Sequence, residues 1–246
     1  MLRTEADRYS APPPRPSALE ERLAFPHFRL FSPRIPRTEP PGPPPALRPF
    51  EIVRVPRLGG RPGTLEATWF PTAADSPRGA VLLLPPWLQW GRSYFHRRGR
   101  IPALRRAGYH VLSLDFPGFA DSARPAGFFD LEVSAGLEDL ARRAPGLPLH
   151  LWGVSAGGHW AHQALAREPR VRAAFFEDVS PHLLEWGWRQ APAARPGYLL
   201  LRLLYPRSYR FLDVRNHAPA LRGRPAVYVS GELDRGVPPG DRKSVV

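Results

Sequence analysis

The sequence predicts an α/β fold built on a doubly wound, mostly parallel sheet. Three observations predict it. From Phe50 onward, short apolar or alternating runs take turns with helix-spaced stretches, the pattern of strands joined by crossover helices. One run, Ala80-Val81-Leu82-Leu83-Leu84, is apolar throughout, as a strand covered on both faces must be. A glycine-flanked serine, Gly153-Val154-Ser155-Ala156-Gly157, stands where one such run ends and a helical stretch begins.

Taken in order, residues 1–48 are rich in proline, with Pro12-Pro13-Pro14, Pro16 and the cluster from Pro40 to Pro45. They read as an extended or disordered lead-in, because proline lacks the N–H that helices and central strands require. Leu23, Phe25, Phe28, Leu30 and Phe31 are the groups in it able to lie against a domain. The domain itself is expected over 49–240. Phe50–Val55 and Thr64–Phe70 read as two strands joined through Gly59-Gly60 and Pro62-Gly63, a hairpin. After the apolar run at 80–84, a helix is expected over Tyr94–Ala107, stopping at Gly108, with Pro102 inside it. A strand at Tyr109–Asp115, a helix at Leu131–Ala144 and a strand at Leu149–Trp152 lead to the serine turn, and the helix after it runs on from Gly158. Strands at Val171–Phe176 and Ala226–Ser230 complete the set. The roughly fifty residues between them exceed a simple crossover. The stretch 180–218, with Trp186, Trp188, Tyr198 and several leucines, therefore reads as a cap inserted over the mouth of the sheet.

Composition narrows the class. A chain of 246 residues has room for one α/β domain with a sizeable core. It contains no cysteine, so disulfides and thiolate chemistry are excluded. No apolar run reaches the length of a membrane span, and Met1-Leu2-Arg3-Thr4-Glu5-Ala6-Asp7 lacks the apolar segment of a signal peptide, which makes a cytoplasmic location the default. The net charge of +13 is nearly all arginine scattered along the chain, with lysine only at Lys243. Without a basic stripe interleaved with aromatics, it does not indicate specific nucleic-acid binding.

The serine turn carries the chemistry. A serine between a strand and a helix needs small neighbours, because side chains at the flanking positions would strike the next element. The turn lifts the hydroxyl clear of the sheet and aims the helix N-terminus at any oxyanion forming there. Three further segments accompany it: Leu84-Pro85-Pro86-Trp87-Leu88, Asp115-Phe116-Pro117-Gly118-Phe119-Ala120-Asp121-Ser122, and Gly231-Glu232-Leu233-Asp234-Arg235-Gly236-Val237-Pro238. With them the chain, from Phe50 to the loop near Pro239, resembles the α/β-hydrolase superfamily. The resemblance implies Ser155 as nucleophile and Asp234, in a G-x-x-D-x-x-V-P loop, as the triad acid, with Asp178 as the alternative. It implies an oxyanion hole formed by the backbone N–H groups of Trp87 and Ala156, although Pro85-Pro86 replaces the usual His-Gly. The segment from Asp115 resembles the D-x-P-G-x-G-x-S turn, with Ala120 in place of the second glycine, and makes Asp115 and Asp121 residues of the fold.

The family's base is a histidine that follows the acid in the chain. The histidines stand at 27, 96, 110, 150, 159, 162, 182 and 217, all before Asp234. The reading is therefore of a sequence truncated before its last strand and histidine loop. The final six residues, Asp241-Arg242-Lys243-Ser244-Val245-Val246, translate the sequencing-adapter stretch GATCGGAAGAGCGTCGTG and read as a non-native tail. The function expected is that of a serine hydrolase, esterase-like, acting through an acyl-enzyme on a small, apolar acyl substrate, with no cofactor and no metal. The alternative is a non-catalytic binding protein of the same fold. Resequencing the gene across the codons for Asp234 to Val246 is expected to depart from this sequence after Gly240; a genomic read that keeps the same six codons and a stop overturns the truncation.

Overall fold

Seven strands form one sheet in a computed structural model that describes residues 11–30, 42–87, 91–180, 182–190, 192 and 195–231. The strands are β1 (Glu51–Pro56), β2 (Thr64–Phe70), β3 (Gly79–Leu84), β4 (Tyr109–Leu114), β5 (Leu149–Val154), β6 (Val171–Glu177) and β7 (Ala226–Val229). They lie in the order β1-β2-β4-β3-β5-β6-β7. β1 and β2 pair antiparallel, as the hairpin reading expects, and β2 runs antiparallel to β4. Every pairing from β4 across to β7 is parallel.

Alternation along β3 explains why the sheet is covered on both sides. Ala80, Leu82 and Leu84 point into one core cluster, while Val81 and Leu83 point into the other. The larger cluster lies under α4 (Asp130–Arg143) and α5 (Ala156–Leu165), and includes Phe128, Phe129, Leu137 and Trp160. The smaller one holds Phe70, Phe95, Ile101 and Val111 beneath α2 (Ser93–Arg97) and α3 (Arg100–Arg106). Residues 94–107 thus form two helices rather than the single one expected. Gly99, at φ +68°, breaks them in a left-handed turn, and Pro102 then falls in the first turn of α3, where its missing N–H needs no partner.

Between β6 and β7 the chain folds into α6 (Leu183–Gln190), α7 (Arg195–Leu204), α8 (Pro206–Phe211) and a 3-10 stretch, Val214–Leu221. The two ends of this insert meet in a bridge between His182 and Asp213. Phe211, Leu212 and Val214 carry it into the main core, against α5.

The lead-in differs from expectation. Residues Ala18–Leu30 form a helix, α1, despite Pro26 within it. Ser17 explains its start, since its Oγ accepts the Glu20 N–H at 3.2 Å and its carbonyl accepts the Glu21 N–H. Proline content alone outweighed this cap in the sequence reading. α1 packs against α7 and α8 of the insert, and buries Ala24 and Phe25. A chain of buried ion pairs fixes the same face. Glu21 bonds Arg15 and Arg61 at 2.6 Å each, and accepts the Phe128 N–H. Arg61 and Arg57 share Glu132, whose side chain is fully buried. Arg15 and Arg167 share Asp130. Residues of α1, the β1–β2 loop, α4 and the turn after α5 are thereby locked in one network.

Removing a partner from such a network leaves buried charge uncompensated. Glu132→Gln is expected to cost about 3 kcal/mol or more of unfolding free energy in denaturant titrations. Glu51→Gln, which loses only the exposed pair with Arg143, is expected to cost under about 1 kcal/mol.

Candidate active site

Ser155 sits between β5 and α5 at φ +50° and ψ −116°, outside the regions that L residues favour. Its N–H donates to the Glu177 carbonyl on β6 at 2.7 Å, and its own carbonyl accepts the His159 N–H at 3.0 Å. These two bonds hold the strained turn from both sides. The glycines around it leave no room for a side chain. A Cβ on Gly153 would stand 2.5 Å from the Gly158 Cα, and one on Gly158 would strike Val179. One on Gly157 would strike the Leu84 carbonyl and lie 2.7 Å from that of Pro85. The serine is left half-exposed at the start of α5, whose first N–H groups have no partner within the helix.

The contact at Gly157 also brings the segment after β3 to the serine. Leu84 and Pro85 press on the first turn of α5, and two residues further on Trp87 lays its ring on Phe129, with centroids 5.1 Å apart. Phe119 meets the same indole edge-on at 6.4 Å. Leu88 lies outside the described residues. The loop's return is anchored by Arg92, which the sequence reading missed. Its backbone N–H donates to Asp115 Oδ1 at 2.5 Å, its guanidinium pairs with Asp115 and Glu66, and its carbonyl accepts the Ser113 hydroxyl at 3.1 Å. No spacing signalled this role, because a lone arginine after a glycine matches no pattern. Asp115 is fully buried, and burial raises its carboxyl to about 6, with Arg92 pulling the other way. Asp115 therefore anchors the fold, and Asp121, on the surface, pairs with Arg54. Ala120 stands at φ +41°, the left-handed position where the glycine would be at ease.

The two carboxylates proposed as acid fare differently. Asp234 lies outside the described residues. Asp178 follows β6 at φ +52°, and its Oδ1 accepts the Gly231 N–H at 3.1 Å, so it tethers the chain just past β7.

Among the described residues no hydrogen bond joins a histidine to the Ser155 hydroxyl. Four histidines are instead buried behind the turn. His162 donates through Nδ1 to the Gly158 carbonyl at 2.7 Å, which leaves Nε2 to accept the Tyr228 hydroxyl at 2.6 Å. His182 Nδ1 accepts the Leu184 N–H, and His217 Nε2 donates to the Phe211 carbonyl. His159 Nε2 contacts the Gln163 amide at 3.0 Å. Burial lowers His162 to about 3 and His182 and His217 to about 4, and takes His159 well below the ordinary range. All four are neutral packing groups near pH 7. Among the described residues, no group of three or more His, Cys, Asp or Glu is placed to hold a metal ion.

A strained serine at a strand-to-helix turn, crossed by the segment after β3, is the arrangement of one large group of proteins. The family described by the name alpha/beta hydrolase fold matches residues 79–217, more than half of the chain. The chain belongs to the α/β-hydrolase family. Among solved structures, an esterase of Pyrococcus furiosus, Pf2001, is 20% identical with a TM-score of 0.68, covering 86% of this chain and 80% of that one. The protein TT1662 of Thermus thermophilus is 22% identical, with a TM-score of 0.57 over 80% of this chain and 81% of that one. A 2,6-dihydroxy-pseudo-oxynicotine hydrolase is 19% identical, with a TM-score of 0.61 over 80% of this chain and 57% of that one. At these identities the likeness is one of fold. No curated protein sequence matches. In this α/β-hydrolase the matched region runs from β3 through the serine turn to the 3-10 stretch of the insert.

The buried histidines set a pH dependence. Their protonation is disfavoured only in the folded state, so the unfolded chain binds more protons below its ordinary histidine pKa of about 6.5. Stability is expected to be flat above that pH and to fall as pH drops from about 6.5 toward about 4. Asp115 and Glu132, raised by burial, act in the opposite direction and reduce the slope. Thermal denaturation across this range checks it, and His182→Gln should flatten the profile.

Proposed function

We propose that the protein is a serine hydrolase acting on a carboxylic ester or related acyl compound. The observation that carries this reading is the conformation of Ser155, held at positive φ where three glycines admit no side chain. Strain of this kind persists only where the surrounding structure enforces it. Here it places a hydroxyl at the N-terminal end of α5.

In the reaction, Ser155 Oγ attacks the substrate carbonyl carbon while its proton passes to a histidine base. The resulting oxyanion accepts hydrogen bonds from the backbone N–H groups of Ala156 and Trp87. Collapse expels the alcohol, which takes the proton back from the base, and water then cleaves the acyl-serine by the same route. Asp234 orients the base. The base itself is assigned to a histidine other than the four near the turn, because these are buried, neutral and bonded elsewhere. Trp87, partly exposed and backed by the buried rings of Phe119 and Phe129, lies two residues past the segment that presses on the turn, which supports an apolar acyl or aryl group on the substrate.

The missing contact between any described histidine and Ser155 also favours a second reading, a binding protein that has kept the fold without catalysis. A fluorophosphonate probe separates the two when applied to protein from the resequenced gene. Labelling at Ser155 is expected, together with hydrolysis of short-chain nitrophenyl esters, and Ser155→Ala should lower the rate by roughly 10³-fold or more. Hydrolysis that survives Ser155→Ala overturns the serine mechanism. A protein that carries the histidine, neither labels nor hydrolyses, yet retains ligand affinity is the binding protein.

A further inference from the structure

Scattered in sequence, part of the chain's positive charge gathers in the fold around one apolar ridge. In α7, Leu199, Leu200, Leu203 and Leu204 are 46, 44, 73 and 59% exposed. At roughly 100° per residue they occupy one arc of about 140°. Tyr198 and Leu201 take the opposite, buried side. Arg195 and Arg202 stand next to the apolar arc on the helix circumference and are themselves exposed. α1, which packs against α7, adds exposed Leu19 and Leu23, one turn apart, with Arg22 between them in sequence. Trp188 of α6 is partly exposed beneath the Arg195 guanidinium, 5.4 Å from ring to Cζ. Arg207 and Arg210 of α8 are exposed as well. Among the described side chains nearby, Glu20 accepts from Ser208 and Asp213 pairs with Arg215.

We propose that this ridge of α1 and α7 docks on the surface of an anionic lipid bilayer. A leucine face flanked by arginines, with a tryptophan at its border, is the composition of a helix that lies in the interface plane. Leucines enter the acyl boundary while the guanidinium groups meet lipid phosphates. Self-association fits less well, because pairing the ridge with a second copy would bring Arg22, Arg195 and Arg202 against their own counterparts, like charge on like. The insertion is shallow, since no helix among the described residues is long and apolar enough to cross a membrane. The inference does not depend on catalysis at Ser155.

Co-sedimentation of the full chain with phosphatidylcholine vesicles, with and without phosphatidylglycerol, tests it. Binding is expected with phosphatidylglycerol, weakening as salt rises. The variant Leu199→Ser/Leu203→Ser/Leu204→Ser keeps the net charge, alters only exposed side chains and should retain the wild-type thermal midpoint. It is expected to lower the partition coefficient by ~10-fold or more. Arg195→Gln/Arg202→Gln should weaken binding, whereas Arg106→Gln/Arg172→Gln, with the same charge loss on other elements, should leave it unchanged. If the leucine variant or the Arg195/Arg202 variant binds as well as wild type, overall charge is responsible and the proposal fails. It also fails if wild type binds neither vesicle, including the case where sedimentation velocity shows a dimer that the leucine variant abolishes.

Discussion

The absence of side chains at Gly153, Gly157 and Gly158 is the constraint on which the site depends. It lets β5, the segment after β3 and the first turn of α5 approach until backbone touches backbone. A methyl group on Gly153 or Gly157 would have to push two of them apart, and one on Gly158 would strike Val179. Close approach in turn forces Ser155 to a positive φ, and that strain is held by bonds to Glu177 on one side and His159 on the other. The neighbouring core follows the same logic. Trp160 of α5 is fully buried and stacks with Phe128, so the helix cannot retreat from the sheet to relieve the turn.

Strand positions were legible because burial on a pleated sheet writes itself into residue type. The apolar run at 80–84 fills both cores, and the runs at 64–70 and 109–114 are recognisable for the same reason. The serine turn was legible because its geometry demands glycine, which is visible in sequence. Less legible were features decided by distant partners. The helix at 18–30 is stabilised by groups from residue 61 to residue 208, and no local pattern records them. Arg92 holds its place through Asp115, twenty-three positions away. The break at Gly99 was readable in principle, since a glycine followed by a proline in the first turn of a new helix is a local signal. The longer helical periodicity concealed it.

Arginine plays two opposed parts in this molecule, and composition cannot tell them apart. Arg57, Arg61 and Arg92 are almost wholly buried, each clasping a buried carboxylate. Their planar, always-charged heads suit such sites, where two or more parallel donors meet carboxylate oxygens. Arg22, Arg202, Arg207 and Arg210 face solvent. A formal charge of +13 counts both kinds alike, although only the second kind projects a field outward.

The ion network around α1 also bears on the order in which the protein is made. Arg15 and Glu21 leave the ribosome early, yet Asp130 is 115 positions downstream of Arg15, and Ser208 is 188 downstream of Glu20. Until those partners emerge, α1 has no place to settle. It waits as a short, charged, leucine-bearing segment that is only marginally helical on its own. Its docking is thus a closing event in biosynthesis, completed only once the sheet and the insert have both taken shape.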